Sequence, residues 1–513
     1  MKRILFVTCF ILLYCVTAGA EQVNIDIFAV NDFHGALVGE GKNPGIAKIA
    51  AYFDFEKRQN PDGTVILAAG DMFQGSMESN LLRGMSVVDQ MNYIGFAAAC
   101  VGNHEFDWGQ RILQRNINAS KFPWLGANVI DIDSGKIFQP LKPYTIIERK
   151  GVKIGIIGLC TPTTPLATNP RNVQGLFFAG VIMPTAYYVE QLQKQNVDVI
   201  VLLTHLGSEQ AEAELSGEFR DVADLLPDGK VAAIITAHSH SYVNSEINGI
   251  PVVQAGEYGR AVAKLQLVFD TDSRKIVQSK REIVQLNTPP WSELEPDVLS
   301  QKLLKQSLSE IAVLRNTVIG TAIKPLTHNP GPLRPTVFGE YLCDAVREAA
   351  TADICLLSSG SIRKELPVGA ITYGSFYEAM PIDITMYTID MYGRDVTSVL
   401  EFGINNPSIN IVQWSGMTII YDARKPYGKA VDKILLNSGL TINMDQRYRV
   451  VTSDFMVNGL GGFVINGING RDTGVLCRDI VEHTIEQQKV IDFIGDGRFM
   501  LIKDNSSVET PIG

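Results

Sequence analysis

The chain has 513 residues, 46% of them hydrophobic, with 45 Lys and Arg against 55 Asp and Glu and a formal net charge of −10. That length exceeds what one ordinary core fills, so two domains are expected, and the apolar share supplies two buried cores. The negative balance, with no long basic run, argues against nucleic-acid polymers as partners, because binding them depends on clustered Lys and Arg; a small anionic substrate is still compatible if a metal supplies positive charge locally.

Residues 1–20 carry the pattern of a cleaved targeting segment. Lys2 and Arg3 come first, Ile4 to Tyr14 form a short apolar run, and Ala18-Gly19-Ala20 fits a cleavage site. The apolar run is too short for a comfortable membrane span. The expected mature chain starts near Glu21 and is secreted or periplasmic. The polar stretch from Asp504 to Gly513 carries no hydrophobic tail, so no membrane anchor is expected. Beyond the targeting segment stand Cys100, Cys160, Cys343, Cys355 and Cys477, an odd number. Cys100 and Cys160 lie in apolar runs and read as core residues, Cys343 and Cys355 could pair, and none has zinc-finger spacing.

In chain order, Val23 to Val30 predicts a strand ending in Asn31-Asp32-Phe33-His34-Gly35. A helix is predicted over Ile46 to Arg58. A strand from Thr64 to Ala69 ends in Gly70-Asp71, and a second helix follows over Ser86 to Tyr93. The apolar run Phe96 to Cys100 opens into Val101-Gly102-Asn103-His104-Glu105-Phe106-Asp107-Trp108-Gly109. Val197 to Leu203 leads to Thr204-His205-Leu206-Gly207, and Val231 to Thr236 to Ala237-His238-Ser239-His240. Ile250 to Gln254 then runs into Ala255-Gly256-Glu257-Tyr258-Gly259-Arg260. Strands alternating with helices predict a layered α/β fold with its chemistry at the carboxyl ends of the strands. A single His at a strand end is usually an ordinary polar residue. Here five of the seven histidines beyond the targeting segment (His34, His104, His205, His238 and His240) fall at such ends, while His328 and His483 do not. Coincidence is a poor account of that.

Thr288-Pro289-Pro290 breaks the pattern. Leu299, Leu303, Leu304, Leu308, Ile311 and Leu314 follow near helical spacing and predict a connecting helix. The expected divisions are the targeting segment 1–20, a first domain 21–290, the connecting helix 291–315 and a second domain 316–513. The second half holds an amphipathic stretch, Phe338 to Ala349, but no second cluster of metal-type ligands. Its marks are Gly331-Pro332-Leu333-Arg334, Ser358-Ser359-Gly360-Ser361-Ile362-Arg363, Pro381-Ile382-Asp383 and Asn458-Gly459-Leu460-Gly461-Gly462-Phe463. Gly-rich turns with Arg and aromatic residues point to substrate binding, since Arg suits phosphate and carboxylate.

Asp, His and Asn together form an oxygen and nitrogen donor set that suits zinc, manganese, iron or cobalt better than calcium. Two such ions roughly 3.5–4 Å apart can clamp a phosphoryl group and activate water. One carboxylate must bridge them, and Asp71 is the natural candidate. The series Asp32-Phe33-His34, Gly70-Asp71, Gly102-Asn103-His104-Glu105, His205 and His238-Ser239-His240 resembles the calcineurin-like metallophosphoesterase signature. The run Asn103 to Gly109, and the second half as well, resemble the secreted 5′-nucleotidase family, over nearly the whole mature chain.

The resemblance implies an N-terminal layered β-sandwich flanked by helices (αββα), joined by a helix to a smaller α+β C-terminal domain. It implies two divalent metal ions, zinc or manganese. Asp32, His34, Asp71 and His240 would form one site, and Asp71, Asn103, His205 and His238 the other. His104 would contact the phosphoryl group rather than a metal, oriented by Asp107. Ala237 stands where the family usually has Gly. In the second domain the resemblance implies Arg334, Arg363 and Phe463 as substrate contacts. Ser358 stands where the family usually has Asn, and Ile382 replaces one Phe of a two-ring clamp. An aliphatic side chain can still cover a base but forgoes a stacking increment of roughly 0.5–1.5 kcal/mol. The implied activity is hydrolysis of nucleoside 5′-monophosphates to nucleoside and phosphate. The alternatives are the same chemistry on cyclic nucleotides, nucleoside di- or triphosphates, nucleotide sugars or another small phosphate ester. A silent ligand-binding protein on this scaffold is the remote alternative, disfavoured because every expected ligand, His104 and Asp107 are present.

Overall fold

The structure, a computed structural model, describes residues 21–212, 214–224, 226, 231–329, 335–405, 411–502 and 508–509. Residues 1–20, where a targeting segment is expected, and Arg334 lie outside the described residues. Period-two alternation along the first strand sets the architecture. β1 (Gln22–Val30) sends Ile25, Ile27 and Ala29 to one face and Phe28 and Val30 to the other, and both faces are buried. Beside it run β2 (Thr64–Ala68), β3 (Ala98–Cys100) and β4 (Trp124–Leu125), each parallel to its neighbour. β5 (Tyr144–Arg149), β6 (Val152–Cys160), β7 (Val199–His205), β8 (Ala233–Ile235), β9 (Tyr242–Ile247) and β10 (Ile250–Ala255) build a second sheet, in the order β9-β10-β8-β7-β6-β5. β11 (Ala261–Asp270) and β12 (Lys275–Gln285) return to the first sheet, pairing antiparallel along β1 to give the order β12-β11-β1-β2-β3-β4.

The two six-stranded sheets pack over a shared core that includes Ile27, Val65, Leu67, Val201, Leu203 and Ile235. The alternate residues of the same strands meet helices. Phe28 and Ile66 pack under α1 (Ile46–Gln59) and α2 (Met85–Ile94) through Tyr52, Phe53, Val88 and Met91. On the far side, Ile200 and Leu202 of β7 pack under α3 (Ile182–Lys194) through Val189 and Leu192. This is the αββα sandwich expected from the sequence. β3 and β8 are shorter than their apolar runs predict, because the flanking Phe96 and Val231 are buried in the core without joining the strands.

α4 (Val298–Asn316) leads out of this half, its N-terminus capped by Asp297, which accepts from Ser300 N at 2.7 Å. Its buried face is narrower than the leucine spacing predicts. Ser300, Ser307 and Ile311 are buried, Leu304 and Leu308 pack partly, and Leu299 and Leu314 face solvent. Polar contacts do the rest: Ser300 Oγ donates to Gln90 Oε1 at 2.7 Å, and Gln90 Nε2 donates to the Ser300 carbonyl at 2.9 Å.

The second half centres on a five-stranded sheet of β13 (Ile354–Ser358), β14 (Thr385–Tyr392), β15 (Val412–Ser415), β16 (Arg447–Ser453) and β17 (Ile468–Leu476), in the order β15-β13-β16-β14-β17. α5 (Val337–Ala350), capped by Thr336, and α6 (Cys477–Gln488) share one core cluster with this sheet. The possible Cys343–Cys355 bond is not formed. Cys100, Cys160, Cys343, Cys355 and Cys477 are all free and buried.

The halves meet along a seam. Met77, Ile311 and Tyr377 pack together, Asn80 Nδ2 donates to Tyr377 Oη at 2.7 Å, and Arg315 bridges Glu78 (2.6 Å) and Glu378 (3.1 Å). Among the described residues no helix is long and apolar enough to cross a membrane.

Candidate active site

Every candidate metal ligand stands at or just beyond the carboxyl end of a strand: Asp32 and His34 after β1, Asp71 after β2, Asn103 after β3, His205 as the last residue of β7, and His238 and His240 after β8. The backbone bends sharply there. Asp32, His34, Asp71, His238 and His240 have φ of 48°, 49°, 53°, 75° and 56°, in the left-handed region that non-glycine residues seldom occupy. Strain gathered in one rim marks a site whose surroundings hold it in place. Ala237 needs no such φ, so its Cβ is accommodated where the family usually has Gly. Two glycines permit close approach. A Cβ on Gly102 would lie 2.3 Å from Asp71 Oδ1, and one on Gly70 would lie 2.6 Å from His205 Nδ1.

Two groups result, Asp32–His34–His240 and Asp71–His205–His238, each with ligand atoms within 4.8 Å of one another. In the first, His34 Nε2 lies 3.0 Å from His240 Nε2, and His240 Nε2 lies 3.6 Å from Asp32 Oδ1. In the second, His205 Nε2 lies 3.1 Å from Asp71 Oδ2 and 3.2 Å from Asn103 Oδ1, which brings Asn103 into the cluster. The remaining ring nitrogens of two ligands face carbonyls: His34 Nδ1 is 2.9 Å from Gln74 O, and His205 Nδ1 is 2.9 Å from Ala69 O.

The charges call for cations. Among the described residues, neither Asp32 nor Asp71 has a Lys or Arg partner. Burial pushes Asp32 up to about 6, against the pull of His205 and with Asp71 adding to the rise. Asp71 is held well below the ordinary carboxylate range, because His205 and His104 outweigh the effect of its burial. Burial lowers His34 to about 3 and His238 to about 4, which leaves their rings neutral with lone pairs to donate. His238 Nδ1 is buried with no hydrogen-bond partner, an orphan that a metal ion would satisfy. The donor set and its charges thus fit two divalent cations.

Beside the ligands stands a second constellation. His104 opens a short helical turn, and its Nδ1 lies 2.6 Å from Asp107 Oδ2. Asp107 is held in turn by Thr168, whose Oγ1 donates to Oδ1 at 2.7 Å, and by Asn172 Nδ2, which donates to its carbonyl at 2.6 Å. Burial lowers the His104 pKa, but the Asp107 and Asp71 carboxylates outweigh it and raise it to about 10, so the ring is a proton donor. With Nδ1 engaged by Asp107, Nε2 is the ring nitrogen left for another partner.

Glu105 has a role that sequence reasoning missed. It is buried, and its carboxylate accepts from the backbone N–H groups of Asp71 (2.8 Å), Met72 (2.7 Å) and Gly102 (2.7 Å), clamping two ligand loops together. Its position inside the Asn103 to Gly109 run was the one available signal.

A cleft of about 740 Å³ joins this rim to the second half, lined by Asn103, His104, Asp107 and His238 on one side and by Ile382, Phe455 and Asn458 on the other. A recess of about 70 Å³ holds Ser358, Arg363, Ile382 and Phe455. Three of the expected substrate contacts (Ser358, Arg363 and Ile382) therefore come together. Phe463 does not join them: it is 2% exposed and packs edge-on against Phe402 at 5.1 Å, inside the core. Half-buried Phe455, which the sequence reading did not single out, is the ring that reaches both the cleft and the recess. A wider depression of about 910 Å³, lined by Lys57, Arg58 and Arg149, lies by Thr64 at the opposite end of β2 and contains none of the candidate ligands.

Comparison with known proteins accounts for both halves. A family model for the calcineurin-like phosphoesterase matches residues 25–242, and one for the 5′-nucleotidase C-terminal domain matches residues 318–466. The chain is 30% identical over 528 residues to Endonuclease YhcR of Bacillus subtilis (strain 168), an alignment covering 97% of this chain but only 42% of that longer protein. It is 26% identical over 539 residues to the Apyrase of Aedes aegypti, covering 93% of this chain and 92% of that one. The crystal structure of a 5′-nucleotidase precursor from Thermus thermophilus is similar with a TM-score of 0.69 at 26% identity, covering 94% of this chain and 100% of that one. The chain belongs to the 5′-nucleotidase family, a calcineurin-like phosphoesterase domain with a 5′-nucleotidase C-terminal domain, and is a metal-dependent phosphoester hydrolase of the dimetal kind.

Proposed function

We propose that this enzyme is an exported 5′-nucleotidase that hydrolyses nucleoside 5′-monophosphates to nucleoside and phosphate. The observation that carries the proposal is one cleft with Asn103, His238 and the His104–Asp107 pair on one wall and Ile382 and Phe455 on the other. Asp32, His34, Asp71 and His240 would hold one cation, and Asp71, Asn103, His205 and His238 the second; zinc or manganese is proposed, from a donor set that accepts either. Once bound, the pair supplies Lewis acidity to the phosphoryl group and lowers the pKa of water. His104, oriented by Asp107, donates from Nε2 to a phosphoryl oxygen as charge builds in the transition state. Glu105 keeps the Asp71 and Gly102 loops in register, so the ligands need not reorganise. In the second half, Arg363 offers a planar fork of donors, Arg334 is proposed as a further cation from outside the described residues, and Ser358 lines the recess. Ile382 and Phe455 cover the base from two sides, and Phe463 supports from within the core. One aromatic face instead of two predicts modest discrimination among bases.

A phosphate-release panel tests the reading: AMP, GMP, CMP and UMP against cyclic nucleotides, nucleoside diphosphates, nucleotide sugars and an aryl phosphate, with and without added manganese or zinc. Metal-dependent turnover highest on the monophosphates is expected. Preference for another class would move the assignment to that ester, and no release from any substrate would leave a binding protein.

A further inference from the structure

The run Glu257-Tyr258-Gly259-Arg260 after β10 supplies none of the candidate metal ligands, yet it folds back into the rim. Tyr258 N donates to the Asp32 carbonyl at 2.8 Å, and its ring lies 5.7 Å from that of His34. Glu257 reaches His240, with Oε2 2.8 Å from Nδ1. The opposite ring nitrogen, Nε2, is the one turned toward His34 and Asp32. A carboxylate that accepts from Nδ1–H selects the tautomer whose lone pair is on Nε2 and fixes the plane of the ring.

Glu257 is itself held. Its Oε1 accepts from Arg260 Nη1 at 2.9 Å, Arg260 Nε donates to Asn43 Oδ1 at 2.8 Å, and the guanidinium lies 5.0 Å above the Tyr258 ring. His240 also differs from the other ligands in its surroundings. His34 and His205 are buried, and each has a backbone carbonyl at Nδ1, whereas the His240 side chain is 37% exposed on the open edge of the rim. A ring in that position is oriented by a side chain or by nothing.

We propose that Glu257 is a positioning residue for the metal site formed by Asp32, His34, Asp71 and His240, acting through His240 Nδ1, with Arg260 as the residue that holds Glu257. The proposal rests on the ligand set proposed above. It is tested on the full-length protein, stripped with a chelator and titrated with manganese(II) alone, with binding read by calorimetry and by metal analysis. The wild type is expected to bind two ions. Glu257→Ala should weaken one of the two sites by about 10–100-fold and leave the other unchanged. Glu257→Gln, which can still accept from Nδ1–H without the charge, should fall between, and Arg260→Ala should have a smaller effect on the same site. Melting of the metal-free proteins separates this from a tie between loops, which would lower the metal-free midpoint and leave the two affinities unmoved relative to each other. A folded Glu257→Ala protein that binds both ions as the wild type does overturns the proposal. Should that variant fail to fold, Glu257→Gln decides, and unchanged affinities at both sites overturn the proposal equally. A wild type that binds fewer than two ions overturns the ligand set, and this proposal with it.

Discussion

At the scale of single residues, ligands and acid can be separated by experiment. Asp71→Asn and His238→Ala are expected to abolish hydrolysis and lower bound metal, because each removes a donor from the cluster. His104→Ala should lose about 10²–10⁴-fold in kcat, the worth of a positioned proton donor, while keeping its metal. Metal analysis beside turnover checks both, and loss of metal from the His104 variant would remove it from the acid role. The positions of these residues were legible because each is a polar side chain within a few residues of the end of an apolar run. Glu105 and Glu257 were not, since the partners that define them are backbone amides of a loop some 33 residues earlier, at Asp71 and Met72, and a histidine 17 positions away. Nothing local in the sequence encodes such partnerships. Phe463 shows the reverse failure: a motif located the ring, and packing against Phe402 decided which way it faces.

At the scale of elements, periodicity gave existence and type more securely than length or burial. The leucine spacing of α4 predicted a helix correctly, but which leucines are covered depends on what lies across from them. The helix meets α2 through Ser300 and Gln90 rather than through a continuous apolar face. The order of the second-half sheet was out of reach of the sequence, because β13 pairs with strands that begin about 60 and 90 residues later, and pairing that distant leaves no local trace. The seam between the halves makes its own prediction. Tyr377→Phe would leave the buried Asn80 amide without its best acceptor and should cost about 1–3 kcal/mol, measured by urea denaturation. An unchanged unfolding midpoint would mean that the seam opens freely in solution.

At the scale of the whole molecule, stability should follow metal and pH. Cations that bind only the folded rim stabilise it by about 2.7 kcal/mol at a hundredfold excess over Kd, so chelator should lower the melting temperature and added manganese or zinc restore it. The second half carries a separate pH response. Burial pushes the Glu340 carboxyl up to about 7 against the pull of Arg498, so the folded state prefers it protonated. Its contribution is therefore full below the unfolded carboxylate pKa of about 4.3 and is lost as pH rises through 7. Relative to Glu340→Gln, the wild type should gain melting temperature as pH falls from about 8 to about 5; parallel profiles would count against this. Finally, the five buried thiols bear on how the chain matures. A native state with no cross-link among them owes nothing to an oxidant. Refolding in dithiothreitol should thus return full activity, and the enzyme can be produced in a reducing cytosol as readily as in an oxidising compartment.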